Sequence, residues 1–592
     1  MSQTLFSTTD YPLSKLIEDI DLGEIALPDI QRPFVWKTAK VRDLFDSMYK
    51  GFPIGYLLFW RYNQGEARQI GIGEKKNVPR LLVVDGQQRL TSLFAVMKDQ
   101  PVLDDEYQER ELNISFRPAD ATFEVATAAS RRDPEYITDI SEVWTGELSH
   151  HRYVSQFLDR VSDNRELSPS EKDHIAEAID RLEGLKNYGL VALELNEKVD
   201  EEQVAEVFVR VNSQGEALNQ ADFILTLMSV HWDEGRREME KFSYEARRPS
   251  DGQASPYNQF IEPEPSDLLR VSVGLGFNRA RLKYAYAILR GKDLESGDVS
   301  ADRRIEQFQR LQEAQESVLD LQHWHDYFQA LKRAGFRSDS MVTSKMNLMY
   351  GYLMYLIGRE EYGLKGHRLR EVIARWFFMC NITGRYTGSS ESTMEEDINR
   401  VTDAGSAEGF IGVLDRVIHS RLTEDFWTIT LPDELDSASY YSPTLFAYHA
   451  ALNILNARAL FSTLTIKELL DPGVQAKKSA VERHHLFPKN YLEGQGITDG
   501  QRVNNIANRA YVEWADNIDI SDQPPSEYFP TYAARFGDDE LKQMRYWHAL
   551  PEGWHQMDYD HFLEERRQRI AQVTRDGYEK LTQKNSVETT SS

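Results

Sequence analysis

The chain holds a single cysteine, Cys380, among 592 residues. No intrachain disulfide can form, and a zinc site built on paired cysteines is excluded. Long apolar runs are missing as well. No window approaches the roughly eighteen uninterrupted hydrophobic residues of a transmembrane helix, so no membrane contact is expected. The opening stretch, Met-Ser-Gln-Thr-Leu-Phe-Ser-Thr-Thr-Asp, lacks the basic and apolar blocks of a signal peptide. Positive charge is in short supply: 69 Lys and Arg face 95 Asp and Glu, for a formal charge of −26. That field opposes indiscriminate coating of nucleic acid, while leaving room for a local basic surface or a metal-centred site. No Gly-x-x-x-x-Gly-Lys-Ser/Thr run occurs, so any nucleotide site is not a P-loop. The natural setting is a reducing cytoplasm.

What is present is ordinary globular composition, 41% hydrophobic and 28% charged. The length exceeds one core and points to three or four domains. Tyr11 to Asp21 places Leu13, Leu16, Ile17 and Ile20 on one helical face. Two prolines in Leu27–Trp36 forbid regular helix there. A helix is expected over Val41–Tyr49, a strand over Pro53–Trp60, and a buried strand over Leu81–Val84 that turns at Asp85-Gly86. Helical spacing then runs from Gln87 to Met97. Residues 163–182 read as a charged helix, Tyr188–Leu195 as a strand, and Glu201–Arg210 and Gln220–Val230 as helices about a break at Asn212–Gly215. Arg247–Pro256 has linker composition. From Ser266 to Arg421 nearly every window has helical period. Asp433–Ser442 reads as a boundary, followed by a helix over Pro443–Ala459. The expected class is α+β and multidomain, with divisions at 1–235, 236–432, 433–582 and a disordered Ser/Thr-rich tail, 583–592.

Two stretches carry chemistry. In Val481-Glu-Arg-His-His-Leu-Phe-Pro-Lys489, His484 and His485 end a short strand ahead of a turn. Adjacent imidazoles suit a one-metal nuclease, where one holds a cation and its neighbour, neutral near pH 7, activates water. Asn504, Asn505, Asn508 and Asn517 follow, and which of them fills which role stays open on spacing alone. A histidine ligand is unusual for pure Mg²⁺ and points to tolerance of Mn²⁺ or another divalent ion. In Val83-Val-Asp-Gly-Gln-Gln-Arg-Leu90 a strand gives way to a helix whose free N–H groups and dipole favour phosphate. There Gly86 permits close approach, Arg89 can fork onto an oxyanion, and Asp85 can act on a metal or water; capping by Asp85 and solvation of Arg89 is the plain alternative. Phe34 and Trp36 read as core. Lys489 and Arg566–Arg569 are candidates for a DNA-facing patch, with a solvated helix face the alternative for the arginines. The loop Gly384–Ser390 stands out as a pattern, with Arg385 a candidate phosphate contact.

Arg-His-His-Leu-Phe-Pro-Lys with Ile-Ala-Asn and a further Asn resembles the His-Me finger (HNH) nuclease domain at the C-terminus of GmrSD-type restriction enzymes. By that match His485 is the general base, His484 and Asn517 the metal ligands, and Asn508 the structural position. Ile30–Trp36, the Pro-Ile-Gly strand, Asp-Gly-Gln-Gln-Arg-Leu and Phe208–Leu218 together resemble the N-terminal domain of the same family, a ParB/sulfiredoxin-like fold that binds and hydrolyses nucleoside triphosphates. The resemblance places Gln31, Arg32, Asp85, Gly86, Gln88, Arg89 and Asn212 around the nucleotide, be it GTP, UTP, CTP or ATP. It implies a bacterial, cytoplasmic, modification-dependent DNA endonuclease acting on modified double-stranded phage DNA, with a homodimer as one open state of assembly. Two alternatives are an NTP-regulated DNA-binding regulator with a degenerate nuclease domain and an RNase or toxin-type nuclease.

Overall fold

The computed structural model describes residues 5–26, 34, 36–61, 79–104, 108–146, 148–197, 199, 204, 207, 228, 232–250, 252–282, 284, 288, 291–293, 296, 298, 300–470 and 481–583. Gln31, Arg32, the two helices expected between 201 and 230, Asn212, Gly215 and nearly all of the 583–592 tail lie outside the described residues. The chain divides into two compact units, Met1–Tyr244 with Ala285–Phe308, and Glu245–Tyr284 with Gln309–Ser592.

The first unit is built on a mixed five-stranded sheet. Its strands are β1 (Phe6–Pro12), β2 (Ile25–Ala26), β3 (Leu57–Arg61), β4 (Leu81–Asp85) and β5 (Gly189–Leu195), in the order β1-β5-β3-β4-β2. Pairings alternate: β1 is antiparallel to β5, β5 parallel to β3, β3 antiparallel to β4 and β4 parallel to β2. Helix α1 (Leu13–Asp21) buries Leu13, Leu16, Ile17 and Ile20, the stripe its spacing predicts. Helices α2 (Thr38–Tyr49) and α3 (Gln87–Lys98) add Val41, Phe45, Leu90 and Leu93 to the same core. The strand expected over Pro53–Trp60 starts only at Leu57, because Gly55 takes φ +92° and breaks the extended run. The charged helix is α4 (Pro169–Glu183), where Ser168 and Glu171 form a capping box and Pro169 takes the first position. Phe34 is 1% exposed, as a core residue should be. Trp36 is half-buried with the Lys40 ammonium 4.2 Å from its ring centroid.

The second unit is mainly helical. Helices α5 (Pro265–Phe277), α6 (Leu321–Arg333), α7 (Lys345–Glu360), α8 (Gly366–Ile382), α9 (Ser390–Thr402), α10 (Ala407–Arg421) and α11 (Pro443–Ile454) run in succession. No strand is present among the described residues from 265 to 470. Residues 433–442 lie inside this unit rather than at its edge. Asp436 accepts from Asn505, the Ser437 carbonyl accepts from Ile506 N, and the Tyr441 hydroxyl donates to the Val342 carbonyl. The last helix, α14 (Tyr559–Thr582), lies against α11 so closely that a Cβ at Gly577 would sit 2.5 Å from Ala451 Cβ. Between these helices is inserted a two-stranded antiparallel ladder, β6 (Val481–His485) with β7 (Arg509–Glu513), running directly into α12 (Trp514–Ile520) and then α13 (Pro525–Ala533).

Candidate functional site

Strand β6 ends in the histidine pair, and the pleat sends successive side chains to opposite faces. His484 goes inward. It is 3% exposed, with its ring edge-on to Tyr528 at 5.7 Å between centroids. Its Nδ1 lies 2.8 Å from Asn517 Oδ1 on α12, and its Nε2 is buried with no partner among the described residues. Burial pushes the imidazole pKa down to about 4 against the opposing Asn517 contact, so the ring is neutral and able to ligate.

His485 faces Arg509 across the ladder and is half-buried. Its Nε2 lies 3.2 Å from Asn504 Oδ1. Asn504 is itself held: its Nδ2 donates to the Gly500 carbonyl at 2.9 Å, and its Oδ1 accepts from Arg509 Nη2 at 2.8 Å. With the amide oxygen presented to the imidazole, His485 Nε2 carries the proton and Nδ1 keeps its lone pair. Burial and then the Arg509 charge lower the His485 pKa; Asn504 opposes this and Lys489 adds to it.

The four asparagines separate cleanly. Asn508 is fully buried; its Oδ1 accepts from Phe487 N at 2.9 Å, and its Nδ2 donates to the Phe487 and Val503 carbonyls, both at 3.0 Å. Together with Leu486 N donating to the Asn508 carbonyl at 2.8 Å, this pins the turn that leaves the histidines. Asn505 bonds Asp436 and Ala507 N, and neither histidine. Asn504 meets His485, and Asn517 meets His484. Two supports escaped sequence reasoning. Tyr528 donates from its hydroxyl to the Leu486 carbonyl at 2.6 Å. Arg566 is not on a surface face at all: it is 0% exposed and donates to the His548 and Ala507 carbonyls. Burial brings its pKa down to about 10. Its signal was legible, because it stands four residues from Phe562 and four from Ile570, on the apolar stripe of α14. Arg567 pairs with Asp436 and Arg569 with Glu565, while Lys489 is exposed.

Two donors on one cation at about 2.1 Å and a right angle stand roughly 3.0 Å apart. The 2.8 Å between His484 Nδ1 and Asn517 Oδ1 is a hydrogen bond in which Nδ1 donates, since the amide oxygen only accepts. The same separation is near that of cis ligands, so the pair would hold one divalent ion only with the imidazole proton moved to the unpartnered Nε2. No group of three or more His, Cys, Asp and Glu capable of holding a metal occurs among the described residues.

The second candidate site lies where β4 meets α3. Gly86 takes φ +94°, and a Cβ there would sit 2.4 Å from Leu57 Cδ2. The helix start has no side-chain cap, so its first-turn N–H groups are not covered from within. Asp85 does not cap it. Arg89 is neither a solvated helix residue nor an open fork, for Nη1 donates to the Ile54 carbonyl at 2.8 Å and Nη2 to Asp85 at 3.3 Å. Burial lowers its pKa, with Asp85 opposing. Gln88 Oε1 is buried without a partner among the described residues.

Over 549 residues the chain is 22% identical to an uncharacterized protein of Methanocaldococcus jannaschii, spanning 87% of this chain and 86% of that one. Residues 13–229 match the family described as GmrSD restriction endonuclease, N-terminal domain, and they contain strands β2 to β5 of the sheet, α3 and the Asp85–Arg89 junction. Over these residues the chain is similar to the N-terminal domain of GmrSD-type restriction endonucleases.

Proposed function

We propose that the chain is a modification-dependent DNA endonuclease of anti-phage defence. In this reading, NTP binding and hydrolysis around Asp85–Arg89 govern metal-dependent phosphodiester cleavage by a His-Me finger (HNH) site made of β6, β7 and α12. The family supports DNA as the substrate. The observation that carries the nuclease assignment is the division of labour between the two histidines. His484 Nδ1 donates to Asn517 Oδ1, a pair we read as the metal ligands once the ring proton moves to Nε2, while His485 holds its proton on Nε2 toward Asn504 and keeps Nδ1 for a water.

His485 takes the proton of the attacking water on Nδ1, and Asn504 holds the tautomer that allows it. Asn508 keeps the base in register by fixing the turn from Leu486 to Phe487. His484 and Asn517 hold Mg²⁺, Mn²⁺ or a similar ion, which when bound supplies charge stabilisation for the phosphorane and the leaving 3′ oxygen. In the N-terminal domain, read as ParB/sulfiredoxin-like, the α3 N-terminus receives phosphate oxygens; Gln31, Arg32 and Asn212, outside the described residues, are assigned to the nucleotide by the resemblance alone. No described helix is long and apolar enough to cross a membrane.

The test is cleavage of a panel of genomic DNAs, unmodified, hydroxymethylated, glucosylated and phosphorothioated, with Mg²⁺ or Mn²⁺ and with or without each NTP. His485→Ala is expected to abolish cleavage and to leave NTP hydrolysis largely intact. Cleavage at full rate by purified His485→Ala protein would sink the assignment.

A further inference from the structure

The loop Gly384–Ser390 forms no part of either site, yet it helps build the floor of a basic cleft in the second unit. A cavity of about 340 Å³ is lined by Arg385, Arg400, Arg416, Arg421, Ser420 and the two valines of α10, Val413 and Val417. Four guanidinium groups at one place are unexpected on a chain of formal charge −26.

The acidic groups around the cleft do not neutralise it. Asp397, 1% exposed, is shared by two arginines: Arg385 holds it bidentately at 2.8 and 2.6 Å, and Arg400 Nη1 reaches it at 2.9 Å. The Tyr386 hydroxyl also donates to it, so Asp397 is saturated. With Glu396 on Arg400, Asp397 balances the Arg385–Arg400 pair, and the surplus positive charge of the cleft is that of Arg416 and Arg421. Exposed Glu396 is drawn to Arg400, and Asp415 is drawn away to Arg375. Arg416 and Arg421 form no ion pair with any described residue and are exposed. Arg421, in the last turn of α10, also offsets the helix dipole, but Arg416 stands too far from the end for that explanation.

We propose that this cleft binds phosphate groups of the DNA backbone, with Arg416 and Arg421 making the contacts and the Arg385–Asp397–Arg400 cluster forming a rigid floor. Backbone phosphate fits better than a nucleotide, because no aromatic side chain lines the cleft and a base would have nothing to stack on. Arginine forks onto phosphate oxygens, and a Ser420 hydroxyl beside them can donate to the same group. The proposal rests on DNA as the partner in the functional reading above, and not on the His484–Asn517 site.

The test uses full-length protein and a fluorescent duplex in EDTA, so that no cleavage intervenes. Anisotropy is measured across a range of salt concentrations for wild type and for the double variant Arg416→Gln/Arg421→Gln, with circular dichroism confirming that both are folded. Two lost phosphate contacts are expected to weaken binding by about tenfold at moderate salt and to flatten the slope of log K against log salt by about 1.8. A double variant with unchanged affinity and slope overturns the proposal. So does a defect confined to NTP binding, which would make the phosphate source a nucleotide. A protein that binds DNA through these arginines but never cuts it would sink the nuclease reading and leave this one standing.

Discussion

His484 Nδ1 and Asn517 Oδ1, thirty-three residues apart in sequence, stand 2.8 Å from one another. One is brought by the end of a strand and the other by the helix that follows its ladder partner, so the ladder register sets their spacing. Since both serve as ligands in the proposed site, Asn517→Ala should weaken Mn²⁺ binding by at least about tenfold in isothermal titration calorimetry. Asn517→Asp, which keeps an oxygen donor and adds charge, should bind at least as tightly as wild type. Equal Mn²⁺ affinity in Asn517→Ala and wild type would remove this residue from the metal shell.

Asn508 has a different role, and its substitutions separate geometry from charge. Asn508→Ala leaves Phe487 N and two buried carbonyls without their partners, which should cost about 3 kcal/mol in urea unfolding. Asn508→Asp should cost more, since it turns a carboxylate toward the Phe487 and Val503 carbonyls that now accept from Nδ2. Aspartate less harmful than alanine would contradict the hydrogen-bond assignment.

Acid should unfold the second unit partly through His548. This imidazole is 1% exposed, Nε2 donates to the Arg458 carbonyl at 2.9 Å, and burial, with Arg566 nearby, drops its pKa to about 4. The folded state thus resists protonation that the unfolded chain accepts near pH 6.5. Its contribution is complete above that pH and is lost as pH falls, by about 2 kcal/mol at pH 5 and about 3 kcal/mol at pH 4. His548→Gln can still donate to Arg458, so urea melts at pH 7.5 and 5 should differ less for the variant than for wild type.

Much of the chemistry was legible because it is local. The α1 stripe, the short strand ending in two histidines and the Asp85-Gly86 turn each follow from neighbours within a few residues. Asn504 and Asn505 could not be told apart that way. They are adjacent and chemically identical, and only the change from φ −91°, ψ 11° at Asn504 to φ −52°, ψ 140° at Asn505 sends one to His485 and the other to Asp436. The extent of the Pro53–Trp60 strand was also misjudged from apolar content, because Gly55 lies where Arg89 approaches: a Cβ there would be 2.5 Å from Nη1. Long-range arginine contacts of this kind leave no periodic trace. The charged face assigned to Arg566 failed for a different reason: its place on the apolar stripe between Phe562 and Ile570 was readable, and its charge was allowed to outweigh it.

Gly86 offers a test of the N-terminal junction that does not depend on identifying the nucleotide. Two effects oppose any side chain there. The backbone sits at φ +94°, disfavoured for L residues, and an added Cβ would lie 2.4 Å from Leu57 Cδ2 and 3.4 Å from Arg89 Nη2. Leu57 is 0% exposed in the sheet and cannot retreat into solvent. Gly86→Ala should therefore cost about 2–3 kcal/mol in the first unit, read as faster amide exchange in Leu81–Asp85 and Gln87–Lys98. NTP hydrolysis should fall with it, whereas exchange across Val481–Glu513, which belongs to the other compact unit, should not change. A fully stable Gly86→Ala protein would mean that the turn relaxes to an ordinary helix start, and that close backbone approach is not what the glycine provides.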